Sequence, residues 1–96
     1  MTKSHLIPIA DICSVHQVEI RWMEKLKDYG LVRIIVEAET LYLPEEELKN
    51  LERILMFKNE LGINLAGIET IIQLLERLEL AQQRVATLEN QLKRFQ

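Results

Sequence analysis

Apolar residues recur at helical spacing through most of this chain, and the period changes only once. In residues 8–14, Ile9, Ile12 and Cys13 fall on one face, and Pro8 suits a first helical position, where its missing N–H leaves nothing unpaired. The run Val15-His16-Gln17-Val18 breaks that period and predicts a tight turn. A second helix follows over residues 19–29, with Trp22, Leu26 and Tyr29 at i, i+4 and i+7 and Met23 alongside. That spacing predicts core packing for Trp22, against the alternative of an exposed partner anchor. Gly30 stands where a left-handed cap ends a helix. Residues 31–36 (Leu-Val-Arg-Ile-Ile-Val) then read as a strand. With residues 40–43 they predict a β-hairpin, although its tip, Glu37-Ala38-Glu39, lacks the Gly or Asn of the tight primed turns. Pro44 restarts helix, and Glu45, Glu46 and Glu47 fill its first turn, where negative charge meets the positive end of the helix dipole. Leu48, Leu51, Ile54, Leu55 and Lys58 lie along one side of this third helix, which should run to about Leu61 before Gly62 stops it. Asn64 caps a fourth helix that opens at Leu65 and runs to near Phe95, about 45 Å.

The fourth helix carries the clearest pattern. Taking Ile71 as an a position places Ile71, Leu78, Val85 and Leu92 at a, and Leu74, Ala81, Leu88 and Phe95 at d. Every seam position is apolar, and the flanking Arg77, Gln82, Arg84, Glu89 and Gln91 are polar. No other helix in so short a chain is long enough to cover residues 78–95, so the seam predicts a homodimer. Arg84 and Glu89 would pair in a parallel arrangement, but one surface pair is worth only about 0.5 kcal/mol and leaves the orientation open.

Length and composition narrow the class. With 96 residues, the chain has room for a head over residues 1–66, continuous with a dimerisation helix over 67–96. Twelve basic against fifteen acidic residues give a net charge of −3, spread as −1 before Pro44 and −2 from it onward. Neither part has the basic surplus that sequence-independent phosphate binding needs. One cysteine, Cys13, excludes an internal disulfide framework and fits a reducing compartment. No apolar run approaches the ~18 residues of a membrane span. The stretch before Ser14 is too short for a signal peptide and is interrupted by Asp11, so a cytoplasmic location is expected.

Three groups of residues together resemble a known family: Ile12-Cys13; Trp22-Met23, Leu26 and Tyr29-Gly30-Leu31-Val32; and Leu61-Gly62-Ile63-Asn64-Leu65 with Gly67-Ile68-Glu69. Their order resembles the MerR-type winged helix-turn-helix proteins, and in detail the small chaperone-modulator branch of the CbpM type. The resemblance implies a mainly α fold: a MerR-like winged helix-turn-helix with a small β-hairpin wing and a long C-terminal coiled-coil helix. It also implies a non-enzymatic protein that binds the J-domain of a DnaJ-like co-chaperone and restrains its partnership with a DnaK-type chaperone. The other branch of the family implies a DNA-binding transcription regulator, and a bare assembly module is a third reading. DNA-binding members carry a Gly-Tyr-Arg-x-Tyr motif in the wing. Aligning Tyr42 with its last Tyr puts Thr40 at the Arg position, and Ala38 and Glu39 at Gly and Tyr. Carboxylates then stand where phosphates would approach, which makes DNA binding doubtful. An acidic group such as Glu37, Glu39, Glu45, Glu46 and Glu47 is usually a solvated face, but J-domains of that family meet their chaperone through a basic helix, which makes these residues the candidate partner contacts.

Other chemistry finds little support. Cys13 and His16 are too few ligands for a metal, and Cys13 reads as a small core residue. No nucleophile–base spacing and no glycine-rich phosphate loop occurs, so neither catalysis nor a cofactor is expected.

Overall fold

The computed structural model describes residues 5–95, as a three-stranded antiparallel sheet and four α-helices. The elements are β1 (Leu6–Pro8), α1 (Ile9–His16), α2 (Ile20–Asp28), β2 (Ile35–Glu37), β3 (Thr40–Pro44), α3 (Leu48–Asn59) and α4 (Leu65–Lys93). Helices α1 and α2 form the helix-turn-helix, and β2–β3 is the wing. Strand β3 is central, flanked by β1 and β2.

Strand β1 has no counterpart in the sequence reading. Pro8 is not the first residue of the helix but lies just outside it in extended conformation (φ −57°, ψ 134°), paired with Tyr42. Extending the N-terminal segment satisfies the outer edge of β3, and the Glu45 N–H continues the contact by donating to the His5 carbonyl at 2.8 Å. The first helix also continues through Val15 and His16 and closes at Gln17, which is left-handed at φ 54°. The turn that follows buries Val18.

The predicted strand over residues 31–36 shrinks to its last residues. Leu31, Val32 and Ile34 are buried, yet their segment is irregular. Its polar groups are met by α3 and the turn before it rather than by a neighbouring strand. Asn50 Nδ2 donates to the Leu31 carbonyl at 2.6 Å, and the Arg33 N–H donates to Glu47 Oε1 at 2.7 Å. The apolar run reported burial, not pairing.

The hairpin closes as tightly as two residues allow. Glu37 pairs with Thr40, leaving Ala38 (φ 49°) and Glu39 (φ 65°) in the left-handed region. This is primed-turn geometry without the residues that make it cheap, at about 1–2 kcal/mol for each side chain. Pairing of β3 on both edges and full burial of Leu43 outweigh that cost.

Glu45–Glu47 form a single 3₁₀ turn before α3, which ends at Asn59, short of the predicted Leu61. Gly62 reverses the chain at φ 64°, and Asn64 Oδ1 accepts the Gly67 N–H at 2.9 Å to cap α4. The core is Ile9, Met23, Leu26, Leu43, Leu51, Ile54 and Ile68, each essentially inaccessible, with Ile12, Leu55 and Ile72 around them. Met23 and Leu26, rather than Trp22, are the inward face of α2. Trp22 packs against the core from its edge, and Tyr29 is exposed.

Candidate functional site

Four features of this fold bear on function: the wing, the outer face of α2, the far end of α4, and a groove beside Trp22.

The wing tip presents Glu37 and Glu39 to solvent. The nearest cation in sequence, Arg33, is solvent-exposed and engaged at the turn before α3. Its guanidinium donates to Glu46 Oε1 at 2.6 Å while its N–H holds Glu47. The five candidate carboxylates therefore do not form one patch. Glu37 and Glu39 stand at one end of β3, and Glu45, Glu46 and Glu47 at the other, about 17 Å away at the usual strand rise. Glu46 and Glu47 are engaged with Arg33, which leaves the tip pair as the open anionic group of the wing.

The exposed side of α2 carries Arg21, Lys25 and Lys27 with Glu24 and Asp28, and half-exposed Ile20 at its start. Positive and negative charge nearly cancel on the helix that a DNA-binding protein of this architecture would put in the major groove.

Helix α4 is 29 residues long. Its first turns bury Ile68 and Ile72 in the head, and Ile71 packs against the same core. Beyond them Leu74, Leu78, Val85, Leu88 and Leu92 are each more than half exposed, Ala81 is exposed, and Phe95 is 88% exposed. From Leu74 onward the predicted heptad seam thus stands with no other described part of its own chain against it, and its last position, Phe95, falls just past the end of α4. Leu80, at a position outside the seam, is also exposed.

The groove was not apparent in the sequence. It lies between α2 and the start of α4, about 510 Å³ in volume, and is lined by Trp22, Lys25, Tyr29, Lys58, Ile63, Asn64, Leu65 and Ala66. Lys58 sits over the Trp22 ring, its Nζ 5.4 Å from the ring centroid. The spacing of Lys58 with Leu51, Ile54 and Leu55 on one side of α3 was the available signal. A lysine on a buried face directs its ammonium to the edge of that face.

No group of three or more His, Cys, Asp or Glu among the described residues is arranged to hold a metal. Burial pushes the Cys13 thiol up from its ordinary range, so it stays protonated and weakly nucleophilic at neutral pH. No helix among the described residues is long and apolar enough to cross a membrane.

A short helix pair, a two-stranded wing, a capped turn and a long terminal helix, in this order, define a winged helix-turn-helix fold. The sequence profile of the MerR HTH family of regulatory proteins matches residues 7–90, and the chain belongs to that family. No curated protein matches it.

Proposed function

We propose that this protein is a non-enzymatic, homodimeric chaperone modulator that binds the J-domain of a DnaJ-like co-chaperone and restrains its action with a DnaK-type chaperone. The observation that carries this reading is the charge of the wing. The cation nearest to it in sequence, Arg33, forms a surface ion pair with Glu46, and Glu37 and Glu39 occupy the tip. A duplex approaching that tip meets carboxylates, whereas the basic helix of a J-domain meets complementary charge. The resemblance of the Trp22–Val32 and Leu61–Glu69 segments to the CbpM type supports the same partner. Two copies joined along Ile71, Leu74, Leu78, Ala81, Val85, Leu88, Leu92 and Phe95 would present two such wings.

The test is association kinetics with an isolated J-domain, alongside titration with an inverted-repeat duplex at physiological salt. Charge complementarity acts mainly on the association rate. Glu37→Lys combined with Glu39→Lys should slow association with the J-domain, steepest at low ionic strength, while helicity and dimerisation stay unchanged. The same variant should gain non-specific DNA affinity. A defined footprint of the native protein on the duplex at that salt would replace this reading with a DNA-binding regulator.

A further inference from the structure

The molecule carries a second charged surface of opposite sign, between α2 and the start of α4. The groove beside Trp22 has an apolar floor of Ile63, Leu65 and Ala66, aromatic walls in Trp22 and Tyr29, and two ammonium groups, Lys25 and Lys58, at its rim. No carboxylate lines it. Among the described residues neither lysine has a carboxylate within ion-pair distance, and Lys58 is instead held over the indole ring. Glu19 lines an adjoining depression that shares Trp22 and Lys58 with the groove.

In a chain with a net charge of −3, an aromatic, apolar recess rimmed by two unpaired cations is a local reversal of the overall field. Steric shape excludes the other common polyanion. The recess is concave and takes one or two side chains, whereas a duplex needs a protruding element to enter its groove. We infer that this groove docks an acidic peptide segment of a partner protein, one that places a large apolar side chain on Ile63, Leu65 and Trp22 and flanking carboxylates on Lys25 and Lys58. Tryptophan at such a place gives large contact area with little conformational entropy to lose, and lysine at the rim gives charge selection. This docking is independent of the J-domain reading, which rests on the wing.

Trp22 is the chain's single tryptophan, so its fluorescence reports on the groove directly. The probe is a blocked peptide with glutamates flanking a leucine–phenylalanine pair, and its control carries lysines in place of the glutamates. The glutamate peptide should shift Trp22 emission saturably, with an affinity that falls as salt is added, and the lysine peptide should not. Lys25→Gln with Lys58→Gln should weaken binding about tenfold without changing the circular dichroism, since two charged contacts are lost from a partly desolvated rim. Lys25→Gln alone, on the exposed face of α2, gives a smaller loss and serves if the double variant unfolds. Three results would overturn the inference: equal binding of both peptides, an unchanged affinity in the lysine variants, or Trp22 emission that answers only to duplex DNA. A shift that follows protein concentration without peptide would also overturn it, since a second copy would then fill the groove.

Discussion

In residues 6–72 most leucines and isoleucines enclose one another, Ile20 and Leu61 excepted, whereas from Leu74 onward they stand in a row with no other described part of their own chain against them. The residue types are nearly the same in both regions. What differs is geometry. In the head, the first turns of α4 pack against α3 and enter the common core, so Ile68 lies at 0% exposure. Two helical turns later the head has ended and Leu74 is 55% exposed. An apolar stripe on a single helix gains nothing by itself, because helical stability in water comes from packing a face. The head therefore buries its own apolar residues, whereas the projecting part of α4 leaves its apolar stripe open, as the proposed dimer would require.

Substitutions placed on either side of this divide should separate the two regions. Leu88→Glu has the largest expected effect, because it sets two unpaired charges into the seam of a dimer, at a cost of about 3–5 kcal/mol. Sedimentation equilibrium should show a monomer whose Trp22 emission remains that of the folded head. A stable dimer would mean that the arm is not the joining surface. Leu51→Ala comes next. It empties a fully buried site in the head and should lower stability by about 2–5 kcal/mol in thermal denaturation, with self-association below the transition unchanged. Loss of the dimer together with the head would show that the two regions form one cooperative unit. The smallest effect belongs to Glu39→Gly. It relieves the left-handed strain at the wing tip and should raise stability by roughly 1 kcal/mol, read from the same melting curves. A destabilised variant would mean that the Glu39 side chain makes a contact that matters more than its backbone strain.

The head was only partly legible from its residues, and its misreadings share one cause. The run from Leu31 to Ile34 read as strand because β-branched runs suit sheets, but Asn50 meets the Leu31 carbonyl and Glu47 the Arg33 N–H from elsewhere in the chain. Trp22 and Tyr29 fell on the predicted inner face of α2, yet the surrounding helices close over Met23 and Leu26. Helical spacing gives a stripe, and the neighbours choose which edge of it is sealed. Strand β1 escaped notice because Leu6 and Ile7 extend only by pairing with Pro44 and Leu43, far along the sequence. The acidic candidates were legible as residues but not as a surface, since β3 separates the tip pair from Glu45, Glu46 and Glu47.

By itself the sequence determined the order of helices, the hairpin, the stops at Gly30 and Gly62, the Asn64 cap and the length of α4, all of them set by residues within a few positions of one another. It also determined the heptad period, because a stripe on one helix is a property of spacing alone. Only the tertiary structure decided that Arg33 pairs with Glu46 across the surface, that Ala38 and Glu39 accept a glycine's geometry, and that Lys58 lies over Trp22 beside Lys25. Each of these is a balance between a local cost and contacts made by residues distant in the chain. A single segment carries the first of those quantities and not the second.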